Sequence, residues 1–173
     1  MADLYTLLAQ YGLAITFASV LLARLGIPLP TLPVLLVAGA MATEGLLSAP
    51  LLLLAATSAA MAADTAWYLA GRWYGLRVLR LLCSISLSPD GCVRQAESVY
   101  LRHEALSLVA SKFVPGLSTV AAPMAGAWQL PFVRFTRYNA IGALAWAGLG
   151  IGAGMIFHGQ IDSLMVWVAG YGT

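Results

Sequence analysis

The chain has 173 residues, of which 61% are hydrophobic and only 9% charged, with a formal net charge of +2. A soluble domain carries about 25% charged residues, so this composition, with a mean hydropathy of +0.85, excludes a soluble protein and indicates one integral membrane domain of a few helical spans. The basic residues are too few and too scattered for a nucleic-acid footprint.

Leu4 to Ala23 is apolar, with Gln10 the main interruption. About 20 such residues cross a bilayer. No Lys or Arg precedes the run, so a retained transmembrane helix is expected rather than a signal peptide. Arg24 closes it, and Pro28, Pro30 and Pro33 follow within a short stretch through which no regular helix is expected to run. Val34 to Thr43 is only about half a span long. Residues 26–43 are therefore expected to form a re-entrant hairpin, with Glu44-Gly45 and Ser48-Ala49-Pro50 turning the chain.

Leu51 to Ala70 is the second clear span, ended by Gly71-Arg72, and it contains Asp64 near the Trp67-Tyr68 pair. Trp and Tyr favour the headgroup boundary, which puts Asp64 about two turns below it, facing protein or water. A local hydrogen bond that fixes the helix end is the alternative. Residues 72–104 are the most polar part of the chain and are expected to form cytoplasmic or interfacial helices. Ser88-Pro89-Asp90 starts the second of these, and His103 ends it. Cys83 and Cys92 lie in this segment and form no metal motif.

Residues 105–130 are long enough to span, but Lys112, Pro115-Gly116 and Pro123 break them. Hydrocarbon offers no partner for free N–H and C=O groups, so a broken helix at membrane depth must be buried in protein or line a wet cavity. Lys112 would be a charge at the edge of such a cavity, where mid-bilayer placement costs about 2.5 to 3.5 kcal/mol even on a lenient scale. The alternative is a lysine snorkelling from a helix end. Gln129-Leu130-Pro131 then turns the chain, Arg134 and Arg137 follow, and Tyr138 to Phe157 is a third, glycine-rich span with Asn139 at its entrance. After the His158 to Asp162 turn, residues 161–173 read as the start of a last helix.

Positive residues flanking spans mark the cytoplasmic side. The segment from Arg72 to Arg102, and Arg134 with Arg137, are both expected there, so residues 105–130 enter and leave on one face. Residues 26–43 then dip from the other. An internal repeat agrees: Ile27-Pro28-Leu29-Pro30-Thr31 and Ala38-Gly39-Ala40 match Val114-Pro115-Gly116-Leu117-Ser118 and Ala125-Gly126-Ala127, with ten residues between proline and glycine in both copies. Breaker-interrupted segments in corresponding halves point to an inverted repeat with a site between the broken helices. The fold class is thus an all-α polytopic membrane protein with two facing re-entrant hairpins.

Gly26-x-Pro28-x-Pro30 with Ala38-Gly39-Ala40, Asp64-x-x-Trp67-Tyr68-x-x-Gly71-Arg72-x-x-Gly75, Lys112-Phe113-Val114-Pro115-Gly116, and Phe135-x-x-x-Asn139-x-x-Gly142-x-x-x-Trp146 together resemble the DedA family, also called the VTT or SNARE-associated Golgi protein domain. The resemblance implies two facing re-entrant hairpins and lipid movement across membranes, including undecaprenyl phosphate recycling in bacterial relatives and scrambling in eukaryotic ones. It also implies a bacterial inner membrane location. The chain departs from the family where relatives carry two acids around the first Pro-rich turn, here Ala23 and Leu32, and two arginines around the second, here Lys112 and Ser118. Arginine binds phosphate bidentately and lysine as a point charge.

The leading expectation is a transporter or flippase with no cofactor. Lys112, Pro115, Gly116, Ser118, Thr119, Asp64, Arg72 and Asn139 are its candidate substrate- and ion-binding residues, joined by Pro28, Pro30 and Thr31 from the first hairpin. Lys112 would attract an anionic head group, helped by the Ser118 and Thr119 hydroxyls, and Asp64 would pair with it or carry a coupled proton. Expected partners are membrane lipids, with a homo-oligomer also envisaged, and no nucleic acid. A carrier of small anionic or polar solutes, and a non-transporting assembly protein, are the alternatives. No Ser/His/Asp set, metal cluster or phosphate-cradling loop suggests an enzyme, and His103 and His158 are expected on opposite faces.

Overall fold

The computed structural model describes residues 2–27, 29–75, 77, 106–113 and 117–159, and side chains from Tyr11 onward except at 106–107 and 117–119. Most of the segment expected at 72–104, the last helix at 161–173, and Pro28, Pro115 and Gly116 lie outside the described residues, as do the side chains of Ser118 and Thr119. What is described is all helical: α1 (Ala2–Leu25), α2 (Thr31–Thr43), α3 (Ala49–Tyr74), α4 (Leu106–Ser111), α5 (Leu117–Ala127) and α6 (Phe132–Ile156).

Among the described residues, two helices are long and apolar enough to cross a membrane, α3 with 26 residues and α6 with 25. At 1.5 Å per residue each is about 37 to 39 Å long, more than a hydrocarbon core of about 30 Å. By the same measure α2, with 13 residues, is about 20 Å long and cannot cross alone. Leu51, Leu54, Ile141, Leu144 and Leu149 are exposed on α3 and α6. Such apolar surface on long helices suits a lipid environment.

Helix ends differ from expectation at several points, each for a physical reason. Pro33 does not delay α2, which begins at Thr31, because the first turn of a helix has no use for that N–H. Helix α3 runs past Gly71-Arg72 to Tyr74; the left-handed residue is Gly75, with φ +60°, which receives no steric penalty there. Pro123 lies inside α5 without ending it. Arg134 and Arg137 belong to α6, which starts at Phe132 rather than Tyr138. Both α2 and α5 close with the paired bonds of a Schellman turn. In α2 these are Leu46 N–H to Met41 O and Gly45 N–H to Ala42 O, at 3.2 and 3.3 Å, and in α5 Leu130 N–H to Ala125 O and Gln129 N–H to Gly126 O, both at 3.0 Å.

The chain divides into two compact units, one comprising Met1–Ala23, Pro28–Ala59 and Ala147–Thr173, the other Arg24–Ile27 and Ala60–Trp146. In the first unit, a side chain at Gly39 would collide with the Ile151 carbonyl, and one at Gly154 with the Leu36 carbonyl. Helix α2 and the end of α6 thus touch backbone to backbone. In the second unit, a side chain at Gly71 would collide with the Pro123 carbonyl, and one at Gly126 with the Tyr68 carbonyl. In every case the obstructing carbonyl lies three residues before the facing glycine. Gly39 and Gly126, which correspond in the sequence repeat, therefore serve the same reciprocal contact in their own units.

The first unit buries Val20, Leu35, Leu47, Leu52, Ala56 and Ile151. It holds an apolar cavity of about 270 Å³ along α1 and α2, whose one wall hydroxyl, on Thr16, donates to the Gly12 carbonyl at 2.8 Å. The second unit's core is Tyr68, Leu108, Ala121, Ala122, Ala125, Leu130 and Phe135. Tyr68 does not sit at a lipid boundary as its residue type suggested. It is 1% exposed, stacks on Phe135 at 4.4 Å between ring centroids, and donates its hydroxyl to the Leu130 carbonyl at 2.6 Å.

Candidate functional site

The polar residues of interest lie in the second unit. Helix α4 ends at Ser111, and its last turn tightens into i−3 bonds: Lys112 N–H reaches Val109 O at 3.2 Å and Phe113 N–H reaches Ala110 O at 3.1 Å. Such tightening is one way of meeting the orphan carbonyls of a helix end. The Ser111 hydroxyl bonds back to the Leu108 carbonyl at 2.9 Å. Lys112 therefore projects from a helix terminus, its backbone N–H already bonded. On α6, Gly142 makes room for it, since a Cβ there would lie 3.1 Å from Val109 Cα and 3.2 Å from Lys112 Cγ.

Lys112 Nζ donates to Asp64 Oδ2 of α3, forming a salt bridge whose side chains are each 3% exposed. Snorkelling is thus excluded as the account of Lys112: its ammonium is directed to a carboxylate inside the protein. Removing one member of a buried pair typically costs about 3 to 5 kcal/mol, because the other charge is left uncompensated.

A third charge, which sequence reading treated only as a helix end, completes the cluster. The Arg24 guanidinium, at the end of α1, lies over the Trp146 ring of α6 at 4.8 Å from its centroid. Its backbone carbonyl accepts the Trp67 indole N–H at 3.0 Å. Arg24 interacts electrostatically with Asp64, and Lys112 feels both Asp64 and Arg24. Lys112 is thus paired directly with Asp64, and Arg24 adds a second positive charge near the pair with no salt bridge of its own to Asp64 among the described residues. The signal was present in the sequence, because Arg24 is the sole basic residue before Arg72.

Other candidates are placed elsewhere. Arg72 donates to the Tyr68 hydroxyl at 2.9 Å, and so braces the hydroxyl that holds Leu130. Asn139, 1% exposed, turns its amide to the Met61 sulfur at 3.4 Å, a weak acceptor one turn before Asp64 on α3. Pro30 precedes the first residue of α2, Thr31, and both fall in the first unit. The structure thus joins Lys112 to Asp64 and adds Arg24 and Trp146 to them.

Comparison with known proteins shows the family. Residues 27–156 match the family model described as the VTT domain. The chain is 31% identical over 170 residues to an uncharacterized membrane protein of Synechocystis, covering 96% of this chain and 78% of that one. It is 33% identical to the Escherichia coli inner membrane protein YohD, over 84% of this chain and 70% of that one, and 30% identical to the E. coli protein DedA, over 87% and 72%. No solved structure matches the chain with significance. With a family match across most of its length, the two long apolar helices and these membrane relatives, the chain belongs to the VTT-domain, or DedA, family of integral membrane proteins.

Proposed function

We propose that the protein is an inner-membrane transporter or flippase that moves an amphiphile with an anionic head group, using the Arg24, Asp64 and Lys112 cluster as its polar site. The observation that carries this reading is the buried Lys112–Asp64 pair just past the end of helix α4. Ionisable groups at membrane depth are expensive and mark substrate or ion paths by default. The reading takes residues 26–43 and 105–130 as re-entrant hairpins of an inverted repeat. It is supported by the short α2, the turn at Lys112 and Phe113 that ends α4, and the reciprocal glycine contact that recurs in the two units. In this scheme Asp64 holds Lys112 when no substrate is bound, and an arriving anion competes with the carboxylate for it.

The test is translocation by purified protein in vesicles of fluorescent phospholipid, undecaprenyl phosphate and a small anion, with Lys112→Ala and Asp64→Asn alongside. Selective movement of an anionic lipid, lost in both variants, is expected. Movement of the small anion alone would turn the reading to a solute carrier. Rates equal to protein-free vesicles for every probe would sink it in favour of an assembly role.

A further inference from the structure

Lys112 and Arg24 differ in one respect that decides which of them is available to a ligand. The Lys112 ammonium is engaged by Asp64. Arg24, by contrast, has a fully buried guanidinium nitrogen, Nη1, with no hydrogen-bond partner among the described residues. A guanidinium offers five N–H donors in a fixed fork, and a buried donor left unpaired is costly. The Trp146 ring, 4.8 Å from the guanidinium carbon, holds the cation on its face. The Trp67 bond to the Arg24 carbonyl fixes the backbone from which it extends. The unpartnered Nη1 is thus a buried charged donor with nothing yet to hold, the kind of group that binds an oxyanion.

Charge sets the kind of oxyanion. The cluster holds two cations and one carboxylate, leaving one positive charge uncompensated. A monoanion brings it to neutrality, whereas a dianion would leave a net negative charge among these three side chains. We propose that Arg24 is the oxyanion-binding residue of this site, and that the cluster selects a singly charged oxyanion, such as a phosphodiester, over a doubly charged phosphate monoester. The inference rests on the reading of the cluster as an anion site and adds its contact residue and its charge selectivity. The same chemistry is offered by a lipid head group and by a free phosphodiester, and the experiment separates them.

Purified protein in neutral detergent is titrated calorimetrically with dihexanoyl phosphatidylglycerol, dihexanoyl phosphatidic acid, dihexanoyl phosphatidylcholine and dimethyl phosphate. An alkaline pH keeps the monoester doubly charged. Wild type should bind phosphatidylglycerol more tightly than phosphatidic acid or phosphatidylcholine. Arg24→Gln should weaken phosphatidylglycerol binding by about tenfold or more, the usual worth of hydrogen bonds to a charged group. Arg24→Lys should fall between, since it keeps the charge and loses the fork. Asp64→Asn, which raises the net charge by one, should shift preference toward phosphatidic acid, a change that a merely structural role would not produce. Dimethyl phosphate binding lost in Arg24→Gln would support a free-ion ligand on Arg24, and binding of the lipid alone would support a head group there. Undiminished phosphatidylglycerol affinity in Arg24→Gln, or in Arg24→Lys should the neutral variant not fold, overturns the role of Arg24 while leaving the anion site standing. Equal or tighter phosphatidic acid binding by wild type overturns the charge selectivity. No anion binding by wild type overturns both this inference and the site reading beneath it.

Discussion

Gly71 and Gly126 each occupy a place that only glycine can fill: the Pro123 carbonyl takes the space of a side chain at one, and the Tyr68 carbonyl does so at the other. The contact is backbone against backbone, so neither partner can yield by rotating a side chain. Gly126→Ala should therefore destabilise the protein by about 1 to 3 kcal/mol or more, the usual cost of overpacking. Gly152, on α6 with nothing within reach of an added Cβ, is the control. Gly152→Ala should be neutral or stabilising by up to about 1 kcal/mol. Unfolding in detergent, followed by the loss of helical circular dichroism, measures both. Equal effects at the two positions would refute the contact.

The Lys112–Asp64 pair makes a prediction that separates stability from function. Lys112→Met and Asp64→Leu alone should each cost about 3 to 5 kcal/mol, while the double variant should recover most of that loss, since an apolar replacement of a buried pair is often neutral. Stability is read from denaturant unfolding and transport from the vesicle assay. Recovery of stability without recovery of transport is the expected pattern. Recovery of both would mean that the charges serve packing alone.

The Tyr68 hydroxyl ties together Arg72 and the turn at Leu130. Tyr68→Phe keeps the stacking on Phe135 but strands the Leu130 carbonyl, and should cost about 1 to 3 kcal/mol. Arg72→Gln should cost less, because Arg72 is an exposed residue whose loss leaves no buried group stranded. Thermal unfolding of the two variants in the same detergent gives the order, and a larger loss in Arg72→Gln would reverse the assigned roles.

Gln129 closes α5 with φ +58°, the one non-glycine residue at positive φ among those described. The left-handed conformation costs an L side chain roughly 1 to 2 kcal/mol. Gln129→Gly should therefore raise stability by about 1 kcal/mol through its effect on the turn. An unchanged or lowered unfolding midpoint would show that the Gln129 side chain makes a compensating contact.

Composition and local pattern alone determined that the chain lives in a membrane, marked three expected spans at Leu4 to Ala23, Leu51 to Ala70 and Tyr138 to Phe157, and set residues 26–43 and 105–130 apart as too interrupted to be ordinary ones. These are properties of hydropathy, length and breaker residues, which act within a few turns of chain. Asp64 and Lys112 stood out for the same reason, since a charge in an apolar run is visible without knowing its partner. Tertiary structure alone decided that they meet across a separation of 48 residues. It also decided that Arg24 joins them over Trp146, and that Arg72 serves Tyr68 instead. Glycines carried the same ambiguity. Gly71 read as a helix end because local chemistry offers that use, but it is spent on a close approach to Pro123 that depends on where a distant helix packs. Pair formation between remote charges and contact between remote backbones are set by helix packing, and no local property of the sequence encodes either.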